Sequence, residues 1–512
     1  MDSFAQMDVP VFSRMLSCLP QKESLVLARL QRDWCQYVGG AFRMLSVTST
    51  TPWAALVAVA KAQGFCRLRD LIIDCSGQGF NHQQCAGVVE VFSASGLQLE
   101  RLVLRNLSFG AEDEARPQEV SVGVAEVACH LHLFEQVIFL ARESVALQRL
   151  ELNRVLVTSL TAPKKAVQVL TAAFEDASCM QSLSELVVSN CRTGLRCVRP
   201  ALFGHLGSHL TRLNLSYCQL GAGGAGTVAS ALPTMLQLRS VLLAGNGFGP
   251  QGAGFLGESL LALRETLEEL DLSENGLGPE GIQVLARPLQ GLPKLASLLL
   301  RGGWTSSEGV EALLELLRGL SQQLQRLDLS QNRLGTSSFT SLLPELPDLP
   351  ELQWLNLSEN YFATAEFASQ PNAPGFSRLG VAAPQLRELE LNGVGLGSDD
   401  LALRAIARDM PRGLERLSLS ASKLQESQLR VLVEALPPLP ELKSLTLVQA
   451  QMNDAALVEL ATLVAGDRMP RLEMLDIRGN MVGAGASNAL RQSLSRSHPC
   501  FRDLRCNRPK TQ

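Results

Sequence analysis

Residues 267–277 read Leu-Glu-Glu-Leu-Asp-Leu-Ser-Glu-Asn-Gly-Leu. The same spacing of leucine and asparagine returns at 324–334, as Leu-Gln-Arg-Leu-Asp-Leu-Ser-Gln-Asn-Arg-Leu, and at 352–362, as Leu-Gln-Trp-Leu-Asn-Leu-Ser-Glu-Asn-Tyr-Phe. Recurrence of one unit along a chain is typical of stacked supersecondary structures, in which each unit buries its apolar face against its neighbours. The sequence therefore predicts a repeat array.

The first leucine of each unit serves as the anchor from which positions in the repeat are counted. From Leu183 to Leu352 the anchors lie 27, 28, 29, 28, 29 and 28 residues apart. The complete set of anchors is Leu68, Leu99, Leu147, Leu183, Leu210, Leu238, Leu267, Leu295, Leu324, Leu352, Leu386, Leu414, Leu442 and Leu472. Residues 42–47 match as one further, degenerate unit. The array is predicted to span residues 42–490 in about 14 units.

Each unit is predicted to hold one short strand followed by one helix. Leucines three and five residues after the anchor alternate with polar residues, as in a strand with one buried face. Ile282, Leu285 and Leu289 then follow at helical spacing, and Gly-Pro pairs before Gln251 and Glu280 mark helix starts. Asparagine eight residues after the anchor is expected to bond backbone groups of the intervening turn. This position is occupied by Asn246, Asn275, Asn332, Asn360 and Asn480, and by Cys191 and Cys218.

These units resemble the leucine-rich repeat family in its long, ribonuclease-inhibitor-like class, over residues 42–490. The resemblance implies an α/β solenoid of horseshoe shape, with a parallel sheet on the concave face and helices on the convex face. It also implies that cysteine is accepted at the asparagine position. Such a surface suits a large protein partner better than a small substrate.

Residues 1–41 do not fit the repeat and are predicted to form short helices. Two interpretations remain open: a cap that covers the first apolar face of the solenoid, or an F-box-like segment. The F-box resemblance, with a late tryptophan and spaced leucines, implies binding of a Skp-type adaptor of a ubiquitin ligase. The residues that carry it are Pro10, Leu16, Leu19, Leu25 and Trp34.

The composition excludes several classes of protein. The 512 residues include 46 Lys+Arg and 50 Asp+Glu, which excludes a broadly basic nucleic-acid binder. Apolar residues make up 46% and charged residues 19%, which excludes a polyacidic disordered chain. From this charge balance we expect no nucleic-acid partner. We also expect no membrane partner, because no stretch of about 20 apolar residues occurs. The acidic N-terminus and scattered cysteines favour a cytoplasmic protein with free thiols, and a nuclear location stays open.

No pattern in the sequence predicts a catalytic, cofactor or metal site. Residues 221–226 spell Gly-x-Gly-x-x-Gly, but this is the strand-to-helix turn of the repeat, and no acidic residue follows before Glu258. His205 and His209, and the group at 129–132, have no second ligand set at a familiar spacing. We therefore expect no enzyme activity and no cofactor.

The residues expected to point outward from the concave face lie two, four and six positions after each anchor. In the middle repeats they are mostly acidic and include one tryptophan, which predicts a partner with a basic patch. The candidate partner-binding residues are Glu269, Asp271, Arg301, Asp328, Trp354, Asn356, Glu388 and Glu390. Nearer the N-terminus the face carries Arg101, Arg105, Arg149 and Arg154, with Glu151 as a partial counter-charge.

Two steps of the repeat are long, and the chain ends in a basic segment. The insertions at 105–146 and 363–385 are predicted to emerge as loops, with either a neutral or a binding role. Residues 491–512 carry six basic residues against Asp503 and are expected to form a cap with a frayed end.

The leading functional hypothesis is a non-enzymatic scaffold that binds a protein through its concave face, and in its sharper form an F-box-type substrate receptor. One alternative is a regulator of an enzyme, such as an activator of the Ran GTPase-activating type. Another is a structural subunit of a cytoskeletal or ciliary assembly. The fold is compatible with all of these.

Overall fold

A computed structural model describes most of the predicted repeats. The described residues are 44–48, 68–75, 98–109, 133–135, 137–141, 144–157, 182–191, 209–303, 309–364, 366, 376–465, 468–498 and 500–506. The chain divides into two compact units, Met1–Gly247 and Phe248–Gln512. The predicted helices of residues 1–41 lie outside the described residues.

The first unit is built on parallel strands. Its strands are β1 (Met44–Thr48), β2 (Asp70–Asp74), β3 (Arg101–Arg105), β4 (Ser108–Phe109), β5 (Arg149–Asn153), β6 (Leu156–Val157), β7 (Glu185–Ser189), β8 (Arg212–Asn214) and β9 (Ser240–Leu242). Strands β4 and β6 form a separate parallel pair, and the others pair in chain order. Strand β1 falls in the predicted degenerate unit and pairs in parallel with β2, from Met44 with Asp70 to Thr48 with Asp74.

The second unit repeats this arrangement with shorter strands. They are β10 (Glu269–Asp271), β11 (Ser297–Leu299), β12 (Arg326–Asp328), β13 (Trp354–Asn356), β14 (Glu388–Glu390), β15 (Arg416–Ser418), β16 (Ser444–Thr446), β17 (Met474–Asp476) and β18 (Asp503–Arg505). The central leucines of neighbouring strands are direct partners, as in Leu270 with Leu298 and Leu327 with Leu355. These leucines are buried, which confirms the inward positions predicted from the repeat.

Helices connect the strands of this solenoid. In the described part of the chain they include α1 (Gly221–Ala231), α2 (Gly249–Leu260), α3 (Gly278–Gln290), α4 (Val310–Gly319), α5 (Thr336–Leu342), α6 (Ser377–Ala382), α7 (Asp400–Arg408), α8 (Glu426–Ala435), α9 (Asp454–Ala465) and α10 (Ala484–Ser497). Helices α2 and α3 begin at the predicted Gly-Pro pairs, where proline fits because a first-turn amide has no helical partner.

The core lies between the sheet and the helices. Ile282, Leu285 and Leu289 of α3 are fully buried, as their spacing predicted. Leu317 of α4 and Leu327 of β12 line the same small apolar void, so helix and strand residues share one interior. An α/β solenoid with a parallel sheet and a helical layer is therefore confirmed in the second unit. The opposite face of the sheet, which carries the positions two, four and six after the anchor, is called the open face below.

The asparagine position stabilises the turns by bonding backbone across repeats. The Asn360 side chain is fully buried; its Oδ1 accepts from the backbone N–H of Asn332 and Leu334 at 3.0 and 3.1 Å. Its Nδ2 donates to the carbonyls of Leu329 and Leu357 at 2.8 and 2.9 Å. Buried backbone groups require such partners, since an unsatisfied one costs about 1–3 kcal/mol. The predicted role of this residue is confirmed.

The described residues of the two long steps include helical segments. In the first insertion, 133–135 and 137–141 are helical, and Leu133, Phe134 and Val137 are fully buried. The second insertion ends in Phe376 and helix α6, with Leu379 buried. The loop prediction needs correction here, because apolar residues at helical spacing return each insertion to the core.

The C-terminal boundary also differs from the expected one at residue 490. Helix α10 continues to Ser497, and β18 pairs in parallel with β17 through Leu504 and Leu475. Up to residue 506, several basic residues of this segment therefore lie in a helix or a strand and not in a frayed end. In the described part of the chain, no helix combines the length and apolarity needed to cross a bilayer.

Candidate functional site

The strand register brings the predicted face residues of the second unit into two neighbouring rows. The row two positions after the anchor reads Glu269, Ser297, Arg326, Trp354, Glu388 and Arg416. The row four positions after the anchor reads Asp271, Leu299, Asp328, Asn356, Glu390 and Ser418. Seven of the eight candidate residues thus lie on neighbouring strands of one surface, and Arg301 lies two residues after the end of β11.

Trp354 is held in place by its neighbours on both adjoining strands. The Arg326 guanidinium lies 4.6 Å from the centre of the indole ring, within cation–π range. The indole Nε1–H donates to Glu390 Oε1 at 3.2 Å. A half-exposed tryptophan fixed in this way loses little conformational entropy on binding, which is the property of an interface anchor.

Asp271 and Asp328 are carboxylates that accept backbone hydrogen bonds on the open face. Oδ1 of each accepts a backbone N–H, from Ser273 and Ser330 respectively, at 2.9 Å. Neither carboxylate has an ion pair within the described residues. The two lie on alternate strands, about 10 Å apart at the usual strand spacing, with the aliphatic Leu299 between them.

Burial, together with neighbouring acids, raises the pKa of two carboxylates on this face. Burial raises the pKa of Asp271, and repulsion from Asp328 and Glu269 adds to it against the hydrogen bonds from Ser273. Burial likewise raises the pKa of Glu390, opposed by the hydrogen bond from Trp354 and supported by the charge of Asp328. Both carboxylates would therefore gain from a nearby cation.

A polar chain runs beside these rows, across four successive repeats. Arg301 Nε donates to Gln331 Oε1 at 3.0 Å and lies 3.6 Å from a Glu274 carboxylate oxygen. Gln331 Nε2 in turn donates to Glu359 Oε2 at 3.1 Å. Glu274, Gln331 and Glu359 have φ between 55° and 59°, a left-handed conformation that places these side chains at the strand ends. Arg301 is therefore largely neutralised within the chain.

Several residues of this face were not among the sequence candidates. Arg416 pairs with Glu388, so Glu388 contributes less negative charge than its sequence position suggests. Leu299 was missed because an apolar residue at an outward position looks like a gap in the polar pattern. Counting the same repeat positions through Leu414 would have found Arg416, but only the register shows which charges meet.

The first unit contains a second charged cluster, centred on the almost fully buried Glu151. Arg105 donates to Glu151 Oε1 through Nε at 3.0 Å and through a terminal nitrogen at 2.7 Å. Arg149 donates to Oε2 at 2.9 Å, and Arg101 lies 3.9 Å from the same oxygen. Burial by itself raises the pKa of Glu151, but the hydrogen bonds and charges of Arg105 and Arg149 outweigh it and hold this pKa below its usual value.

Three further features came from the sequence: the glycine-rich motif, the question of a metal site, and the adaptor-binding residues. Residues 221–226 form the start of α1, as predicted for a strand-to-helix turn. Among the described residues, no group of three His, Cys, Asp or Glu is arranged to hold a metal ion. The adaptor-binding candidates Pro10, Leu16, Leu19, Leu25 and Trp34 lie outside the described residues.

The repeats of this chain are similar to those of known protein families. Models of the leucine-rich repeat match residues 208–229, 265–286 and 323–347. The ribonuclease inhibitor of Sus scrofa is 26% identical over 321 residues, covering 60% of this chain and 69% of that protein. The chain is built from leucine-rich repeats and resembles the ribonuclease-inhibitor-like class. Solenoids of this kind present an extended sheet surface that is suited to binding another protein.

Other relatives share the repeats within much longer chains. Tonsoku-like protein of Bos taurus is 33% identical over 266 residues, which is 50% of this leucine-rich repeat protein but 17% of the relative. NACHT, LRR and PYD domains-containing protein 5 of Bos taurus is 25% identical over 334 residues, 65% of this chain and 27% of the relative. Among solved structures, an internalin of Listeria monocytogenes superposes over 84% of this chain and 95% of its own, with 14% identity and a TM-score of 0.37.

Proposed function

We propose that this protein is a non-enzymatic scaffold that binds a basic segment of a partner protein on the open face of its second unit. The observation that carries the proposal is the pair Asp271 and Asp328, which lie on either side of Leu299 and have no ion pair among the described residues. Trp354, fixed by Arg326 and Glu390, lies two strands from Leu299 and offers an apolar anchor beside the acids.

The chemistry of this face fits a long basic side chain. The aliphatic stem of an arginine or lysine can pack on Leu299 while its charged head reaches Asp271 or Asp328. A guanidinium is favoured over an ammonium, because it is more weakly hydrated and can bond a carboxylate through two parallel N–H groups. The partial burial of Asp271 strengthens such a bond relative to one in open water.

We expect the double variant Asp271→Asn/Asp328→Asn to bind a labelled octa-arginine peptide at least about tenfold more weakly than the wild type. Loss of two charge-assisted hydrogen bonds exceeds the 1.4 kcal/mol that corresponds to a tenfold change. Fluorescence anisotropy at 0.15 M salt measures the affinity. The matched control is Glu258→Gln/Glu315→Gln, which removes the same charge from exposed helix positions. Equal weakening in the control would show a general charge effect and refute the site.

Acidification provides a second readout of the same site. Because the pKa values of Asp271 and Glu390 are raised, these groups take up protons at a pH where ordinary carboxylates remain charged. Peptide binding should therefore weaken at a higher pH in the wild type than in the double variant, whose remaining affinity depends on other carboxylates. Identical pH profiles would contradict a role for Asp271.

The finer hypothesis of a ubiquitin-ligase substrate receptor rests on the F-box-like sequence at Pro10, Leu16, Leu19, Leu25 and Trp34. We expect affinity capture from cells, followed by mass spectrometry, to recover a Skp-type adaptor and cullin subunits with the full chain. A protein that lacks residues 1–40 should lose these subunits and keep the partner of the open face. Recovery of the same proteins by both would leave residues 1–40 as a cap.

The second candidate function, regulation of an enzyme, is favoured by the similarity to ribonuclease inhibitor. It predicts that the partner captured through Asp271 and Asp328 is an enzyme whose activity changes on binding. Assay of that enzyme with the wild type and with the double variant separates this role from passive scaffolding. An unchanged activity at saturating scaffold excludes it.

A further inference from the structure

The arginines of β3 and β5 outnumber the carboxylate on which they converge. Glu151 Oε1 is occupied by both donors from Arg105, and Oε2 accepts from Arg149. Arg149 reaches a second carboxylate, Glu185, at 2.6 Å. Arg101 has only the 3.9 Å approach to Glu151 and makes no hydrogen bond within the described residues. Among the described residues, the Arg101 guanidinium thus has no hydrogen-bond acceptor.

The unmet donors lie in a partly desolvated setting. The Nε atoms of Arg101 and Arg149 are buried, and no acceptor in the described part of the chain is within hydrogen-bond distance. Val103 and Val187 flank Glu151 in the strand register and are themselves buried, so the guanidiniums sit beside an apolar row. Buried donors without acceptors are costly, and an anion on the exposed part of the same guanidiniums would offset part of that cost.

The cluster remains accessible despite its packing. The side chains of Arg101, Arg105 and Arg149 keep 36%, 39% and 35% of their surface exposed. In register, Asp70 on β2 lies beside Arg101, and Glu185 on β7 lies beside Arg149. These flanking carboxylates repel anions, so a negative ligand is confined to the width of β3 and β5.

We propose that Arg101 and Arg149 form an anion-binding site that takes side-chain carboxylates from a short acidic segment of a partner protein. Arg101 and Arg149 are direct partners in adjacent strands, about 4.8 Å apart along the sheet. In an extended peptide, carboxylates two residues apart project to the same side at about 6.8 Å, which matches the reach of two flexible arginines. Glu151 orients Arg105 and Arg149 so that little ordering is needed when the ligand arrives.

The first test uses a labelled Ser-Gly-Glu-Ser-Glu-Gly-Ser peptide and full-length protein. Arg101→Gln should weaken binding on the order of tenfold, since a charge-assisted carboxylate bond is lost. Arg101→Lys keeps the positive charge but cannot offer two parallel N–H donors to one carboxylate, so it should retain an intermediate affinity. The control Arg264→Gln removes an exposed positive charge in the second unit and should leave binding unchanged.

Further measurements test whether the variant stays folded and which ligand binds the site. Arg101→Gln should keep the wild-type urea midpoint, because this side chain makes no hydrogen bond among the described residues. Equal binding of a glutamine version of the peptide would overturn the proposal. Tighter, Arg101-dependent binding of a single-stranded oligonucleotide would assign the site to nucleic acid instead. Peptide binding that appears only after Glu112, Asp113 and Glu114 are made neutral would assign it to this chain's own acidic segment.

Discussion

Replacement of Glu151 by glutamine is expected to lower the free energy of unfolding by about 3 kcal/mol. The carboxylate accepts three hydrogen bonds from Arg105 and Arg149 and is 5% exposed, so the variant leaves these guanidiniums around a neutral amide. Breaking a buried ion pair costs about 3–5 kcal/mol, and the lower end applies because the arginine heads are a third exposed and regain hydration. Urea denaturation followed by circular dichroism measures the change.

Glu185→Gln is the matched control for this variant. Among the described residues, the Glu185 side chain is bonded only by Arg149, and it is 34% exposed, so its loss should cost less than about 1 kcal/mol. Equal destabilisation by the two variants would mean that the Glu151 cluster contributes no more than a surface pair. Isosteric Glu151→Gln avoids a cavity, which separates the charge effect from a packing defect.

The same group makes stability depend on pH in a defined direction. The pKa of Glu151 is lower in the folded chain than in the unfolded one, because Arg105 and Arg149 stabilise its charge. Its contribution is therefore complete above the unfolded pKa and is lost as the pH falls through the folded pKa. The stability difference between wild type and Glu151→Gln should shrink on acidification. A difference that grows at low pH would contradict this linkage.

The repeat itself could be predicted in detail from the sequence. Leucine spacing located the strands, and Gly-Pro pairs located the starts of α2 and α3, because these signals are local and recur many times. The asparagine position was also predictable, since a small amide is the side chain best suited to bond several turn groups at once. Asn360 illustrates this with its bonds to four other residues.

The charge pairing on the open face could not be predicted in the same way. Sequence position placed Glu151 among arginines, but which of them bond it depends on the register of β3 against β5, across a step of 48 residues. Likewise, the neutralisation of Glu388 by Arg416 depends on side-chain conformation in neighbouring repeats. The candidate residues were found individually, whereas their electrostatic balance emerged only when the strands were aligned.

The second insertion shows a different reason for failure. Pro371, Pro374 and Gly375 dominate its composition and favour a loop, because proline and glycine oppose regular structure. The apolar residues that follow, Phe376 and Leu379, are too few to predict a helix next to these proline and glycine residues. In the structure these residues complete an aromatic cluster, so the insertion has a structural role where it ends.

Phe376→Ala is therefore expected to destabilise the protein by about 3–4 kcal/mol, through lost burial and a cavity. Phe376 is fully buried, with its ring centre 6.1 Å from that of Phe339 and 6.3 Å from that of Phe362. Phe339 and Phe362 stack on each other at 3.6 Å and would both face the cavity. Val381→Ala in α6 is the control, since Val381 is 68% exposed and its truncation should change stability by less than about 0.5 kcal/mol. If both variants unfold at the wild-type urea midpoint, the Phe376 side chain does not contribute to the stability of the core. If only Phe376→Ala lowers the midpoint, the core of the second unit depends on this segment.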